Sequence, residues 1–110
     1  MSKTKPLIAV VDDEEPIRKA LTRLLRSAGL AVETFPSGAD FLQSLATRQP
    51  DCVVLDLHMP RTNGFEVQAW LAQRSLALPV VIITGHDSAE TRDRALAGHP
   101  VAYLRKPMND

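Results

Sequence analysis

Short runs of apolar, often β-branched residues recur along the chain at 7–11, 31–35, 52–57, 80–84 and 101–104. They predict five strands. All but the second are nearly continuous in apolar character rather than alternating, as strands of a parallel sheet covered on both faces require. The second carries Glu33 and Thr34 and reads as an edge strand. Between the runs the period changes to that of a helix. Ile17, Ala20, Leu21, Leu24, Leu25 and Ala28 form one apolar stripe, with Arg18, Lys19, Arg23 and Arg26 away from it. Pro16 suits the first helical turn, and Gly29 suits the stop. Three further helices are predicted over about 37–46, 63–74 and 87–97, where Ser37-x-x-Asp40, Asn63-x-x-Glu66 and Asp87-x-x-Glu90 resemble N-terminal capping arrangements.

Strand and helix alternate throughout, which implies right-handed crossovers and an α/β, three-layer, doubly wound parallel five-stranded sheet. A chain of 110 residues with 45% hydrophobic content supports one core, so residues 1–110 are read as a single domain. Lysine plus arginine equals aspartate plus glutamate at 13 each, so no net field favours nucleic acid or an anionic membrane. No apolar run approaches the roughly 20 residues of a membrane span, and the polar start suits neither a signal peptide nor an anchor. Lone Cys52 within an apolar run reads as a small buried hydrophobe, and a reducing cytoplasm is the expected setting.

Ligands of open α/β sheets bind beyond the carboxyl ends of the strands. There the sequence places Asp12 and Asp13 after the first strand, Asp56 near the end of the third, Thr84-Gly85 at the end of the fourth and Lys106 after the fifth. Two carboxylates 4 Å apart repel by roughly 4 kcal/mol at an effective dielectric near 20, so three together need a cation. Hard oxygen ligands open to water suit Mg2+, and Lys106 supplies the remaining positive charge. A carboxylate beside Mg2+ can attack phosphorus, because phosphoryl transfer depends on positioning and on neutralising the equatorial oxygens. Asp56, set among Val53, Val54, Leu55 and Leu57, is the expected nucleophile. Thr84 can donate to a phosphoryl oxygen, Lys106 can pair with another, and Gly85 permits close backbone approach. Trp70 and Phe65 read as packing residues, and His99 as a loop residue.

The blocks Val10-Val-Asp-Asp-Glu-Glu-Pro16, Leu55-Asp-Leu-His-Met-Pro60, Ile83-Thr-Gly85 and Arg105-Lys-Pro107 resemble the signatures of response-regulator receiver domains of the CheY-like superfamily, and within it most resemble the FixJ group. The resemblance spans nearly the whole chain. It implies a flavodoxin-like sheet of order 2-1-3-4-5. It also implies a phosphorylation-activated switch, taking its phosphoryl group from a sensor histidine kinase. Asp56 would be the phosphoacceptor, and Asp12, Asp13 and Asp56 with the backbone carbonyl of His58 would organise Mg2+. Thr84, Lys106 and Tyr103 would carry the switch, and a cis Lys106-Pro107 bond is implied. Such a domain is not an enzyme beyond assisting its own phosphorylation and dephosphorylation. FixJ-like chains usually place the receiver before a DNA-binding domain, so the segment is expected to be the regulatory part of a transcriptional regulator. The alternative is a stand-alone or degenerate receiver that acts as a protein-interaction module.

His58 and His86, two residues beyond Asp56 and Thr84, are candidates for tuning water access to the phosphoryl group. Ala97-Gly-His-Pro100 departs from the family pattern and predicts an early end to the fourth helix. Only Met108 to Asp110 follow Pro107, so a fifth helix is expected to be absent. Apolar surface on the fourth and fifth strands is then expected to be exposed, favouring a homodimer or oligomer through the sheet or the face formed by the fourth helix and fifth strand. Two rivals fit less well. An aspartyl phosphatase needs a second Asp where His58 stands, and a nucleotide-binding module needs a glycine-rich loop where Asp12 to Glu15 stand.

Overall fold

The computed structural model describes residues 5–106. Five strands, β1 (Leu7–Val11), β2 (Ala31–Phe35), β3 (Cys52–Asp56), β4 (Val80–Thr84) and β5 (Ala102–Arg105), alternate with α1 (Glu15–Ser27), α2 (Gly38–Ser44), α3 (Gly64–Gln73) and α4 (Ala89–Leu96). All strand pairs are parallel, and the order is β2-β1-β3-β4-β5. β1 reverses the direction of progression, so the β1/β3 boundary is the switch point where such sheets open a crevice.

Side chains alternate across the sheet and sort the core into two clusters. Ala9, Val11, Val53, Leu55 and Ile82 pack against Phe41, Val67, Leu71 and Ala95 on the side of α2, α3 and α4. Ile8, Val10, Val54 and Ile83 pack against Leu21, with Ile17 and Leu25, on the side of α1. The same parity places the polar residues at the strand ends. Asp12 and Asp56 follow Val10 and Val54 onto the α1 side, and Thr84 follows Ile82 onto the α4 side.

The caps expected for α2 and α3 form. Ser37 Oγ accepts from Asp40 N, and Asn63 and Glu66 make a reciprocal capping box. The cap expected from Asp87 does not form. Ser88 caps α4 instead, its Oγ accepting from Thr91 N at 3.0 Å, because the Asp87 carboxylate is engaged by β5 and by Arg92. α1 buries less of its stripe than its pattern promised. Ile17, Leu21 and Leu25 pack on the sheet, whereas Ala20, Leu24 and Ala28 remain exposed. Cys52 is half-buried rather than buried.

α4 ends at Leu96, and the chain turns through Gly98 and His99, the latter at φ 56°. β5 consequently runs one residue later than its apolar run, although Val101 N already donates to Val80 O at 2.8 Å. Of the fourth and fifth strands, it is β5 and its approach that expose large apolar side chains. Val101 and Leu104 are exposed, but Ile83 on β4 is buried, because β4 lies between β3 and β5 and packs with Val10, Leu21 and Val54. The implied cis bond at Lys106-Pro107 and the stretch after it lie outside the described residues.

Candidate functional site

The residues singled out from the sequence converge on the carboxyl edge of the sheet. Asp12, Asp13 and Asp56 each offer a carboxylate oxygen within 4.8 Å of the others. Asp12 and Asp56 are buried and Asp13 is exposed, so the group opens to solvent on one side. Lys106 reaches in from the end of β5. Its Nζ lies 2.8 Å from Asp12 Oδ2, 2.9 Å from Glu14 Oε1 and 3.5 Å from Asp56 Oδ1. Backbone amides add to the carboxylates: Glu14 N donates to Asp12 Oδ1 at 2.8 Å, and His58 N approaches Asp56 Oδ1 at 3.4 Å.

Lys106 does not fully compensate this charge. Burial, reinforced by the charge on Asp12 and to a lesser degree Asp13, pushes the Asp56 carboxyl up to about 6 against the opposing pull of Lys106 and the His58 amide. For Lys106 the balance is reversed. Burial opposes its charge, but the close contact with Asp12, the hydrogen bond to Glu14 and the charges of Asp56 and Asp12 outweigh it and hold the ammonium well above its ordinary range. Its hydrogen bond and charge in turn lower the Glu14 carboxyl. Asp12 Oδ2 meets Lys106 as an ion pair and not along a donor direction, so this fully buried oxygen keeps no aligned hydrogen bond. A buried carboxylate oxygen without an aligned hydrogen bond, beside two further carboxylates, suits a small hard cation.

The α4 side of the rim holds neutral groups. Thr84 is fully buried, and its Oγ1 accepts from His86 N at 3.1 Å and contacts His58 Nδ1 at 3.1 Å. The His58 and His86 rings meet edge to face at 5.0 Å. Partial burial, with the neighbouring His86 and Lys106, lowers the His58 pKa. Tyr103 packs along the larger core cluster while its hydroxyl donates to Asp87 Oδ1 at 2.8 Å. Asp87 also takes Arg92 at 3.1 Å and Arg105 at 3.9 Å, which ties the β4–α4 loop to both α4 and β5. Burial and this bond raise the Tyr103 hydroxyl pKa, and the bond lowers that of Asp87.

Three positions have roles at the site that the sequence pattern did not signal as such. Glu14 closes the outer side of Lys106, and Asp87 anchors Tyr103. Gly64 is the third: a Cβ there would stand 2.5 Å from Asp56 O and 2.8 Å from Leu57 Cα, so α3 starts hard against the end of β3. The Asn63-Gly64 pair was its only signal. Gly85, by contrast, is not sterically required, since a Cβ would meet only Lys106 Cδ at 3.8 Å. Phe65 and Trp70 pack as expected, each beneath an arginine: Arg94 lies 4.0 Å from the Phe65 ring centre and Arg74 lies 3.8 Å from that of Trp70.

A sheet of this order, with aspartates gathered against a lysine at its carboxyl edge, defines the receiver class of two-component signalling. The chain belongs to the response regulator receiver domain family, whose model matches residues 8–110. Among relatives, Nodulation protein W of Bradyrhizobium diazoefficiens is 38% identical over 109 residues, covering 99% of this chain and 48% of that protein. The DNA-binding transcriptional regulator NtrC of Escherichia coli K12 is 37% identical over 103 residues, covering 94% of this chain and 22% of that protein. Among solved structures, FixJ-N superposes with a TM-score of 0.87 at 31% identity, covering 98% of this chain and 86% of that one. A response regulator receiver protein from Burkholderia phymatum gives 0.84 at 50% identity, covering 96% and 86%. This chain is thus a receiver domain of a two-component response regulator, spanning about half the length of its relative Nodulation protein W. No helix among the described residues is long and apolar enough to cross a membrane.

Proposed function

We propose that this receiver accepts a phosphoryl group on Asp56 from a phosphohistidine of a sensor histidine kinase, with Mg2+ held by Asp12, Asp13, Asp56 and the backbone carbonyl of His58. The observation that carries the reading is the cluster of three carboxylates, two of them buried, short of positive charge although Lys106 reaches it. When bound, the ion supplies charge neutralisation for the carboxylates and for the phosphoryl oxygens. The remaining work falls to the chain. An Asp56 oxygen forms the new P–O bond as the donor's P–N bond breaks and its electron pair returns to the imidazole. Lys106, already 3.5 Å from Asp56, pairs with a phosphoryl oxygen, and the Thr84 hydroxyl donates to another. Drawing Thr84 inward frees space for Tyr103, and the α4–β5 face changes shape.

The likeness to the DNA-binding transcriptional regulator NtrC supports a place in the regulatory part of a transcriptional regulator. The test is labelling with a small-molecule phosphodonor. The wild-type chain should take up one phosphoryl group with Mg2+ and none with chelator, and Asp56→Asn should take up none. Failure of the wild-type chain to label would instead make it a degenerate receiver that works through contacts alone.

A further inference from the structure

We infer that the His58 side chain is a positioning residue that holds Thr84 in the resting state, so that His58 sets the threshold of the switch. The inference deepens the reading above and rests on it. Thr84 is fully buried, and among the described residues its hydroxyl has two polar neighbours, the His86 amide and His58 Nδ1. The amide can only donate, so it uses one of the oxygen's lone pairs. If Nδ1 also donated, the buried hydroxyl hydrogen would be left without an acceptor. Unpaired buried donors are costly and rare. Thr84 therefore donates to Nδ1, and the neutral His58 ring carries its proton on Nε2.

A threonine has one hydroxyl hydrogen. While it is given to His58 it cannot be given to a phosphoryl oxygen, so the Thr84–phosphoryl bond forms only as the Thr84–His58 bond is lost. The imidazole has somewhere to go. Beside it lies a groove of about 370 Å3, lined among others by Phe65, Glu90, Thr91 and Arg94. His58 is itself an exposed residue held by contacts to Thr84, His86 and Phe65, so it can leave without opening the core.

The experiment measures binding of beryllofluoride, a phosphoryl mimic, to the full chain at saturating Mg2+. His58→Ala should tighten binding roughly three- to tenfold, the worth of one ordinary hydrogen bond, and His58→Asn, whose carbonyl can accept in place of Nδ1, should return it towards wild type. In a Thr84→Ala background, His58→Ala should change nothing, which separates a hold on Thr84 from a general effect on access. Unchanged or weaker binding in His58→Ala, or an equal gain without Thr84, overturns the inference while leaving the phosphoacceptor reading intact. Failure of the wild-type chain to bind beryllofluoride overturns both.

Discussion

The two halves of the rim are built from different physics. On the α1 side, Asp12, Asp56, Lys106 and Glu14 form a group of full charges, two of the carboxylates buried, and their geometry is set by Coulomb attraction and repulsion in a poorly solvated place. On the α4 side, Thr84, His58 and Tyr103 are neutral, and each is directed by one or two hydrogen bonds. Negative charges that cannot all be satisfied suit the first half to taking up a cation, whose arrival would lower its energy. Hydrogen bonds of about 1 kcal/mol suit the second half to switching, since each can be exchanged for another at little net cost.

That contrast can be broken from either side. The largest effect is expected from Lys106→Met, which strands Asp12 and Asp56 without their cation. Such a loss costs about 3–5 kcal/mol, and denaturant unfolding should show it without metal and show much of it recovered with millimolar Mg2+. A loss indifferent to Mg2+ would mean that the lysine acts through packing alone.

Gly64→Ala strikes the strand end that both halves share. Its Cβ has no room beside Asp56 O, so a cost of about 1–3 kcal/mol is expected. Mg2+ affinity should fall with stability, which titration would show.

Asp56→Asn should act in the opposite direction. Because the folded pKa of Asp56 lies near 6, above its ordinary 3.8, the folded state binds the proton more readily than the unfolded chain does. Holding this group charged is therefore a destabilisation that is complete above pH 6 and relieved as pH falls towards 4. The metal-free variant should be more stable than wild type by about 1–3 kcal/mol at pH 7. The difference should shrink through pH 6 and reverse with Mg2+. A variant less stable at every pH would refute the excess of negative charge.

Tyr103→Phe should give the smallest change. It removes one hydrogen bond to Asp87, so the unfolding midpoint should move little and show no dependence on Mg2+. A large, Mg2+-dependent loss would mean that the two halves are one charged system.

Much of this was legible in one dimension. Five apolar runs and four helical segments appeared in order because a strand covered on both faces and an amphipathic helix impose their periods locally, and Ser37 and Asn63 cap where their spacing placed them. Asp12, Asp13, Asp56, Thr84 and Lys106 could be named because polar residues closing apolar strands must share one edge of a parallel sheet. Partners that meet only across elements were not legible. Asp87 was read as a helix cap because capping is a local pattern, whereas its bond to Tyr103 joins a loop to a strand 16 positions on.

The sequence by itself determined the periods, the strand ends and so the membership of the site, because these follow from local spacing and the cost of burying charge. Only the tertiary structure decided how that membership divides. Parity across the pleat put Asp12 and Asp56 on the α1 side and Thr84 on the other, the close approach of α3 to β3 left no room for a side chain at Gly64, and the pairing of β3 with β4 set His58 beside Thr84. Such contacts depend on distances between elements, which no spacing along the chain records.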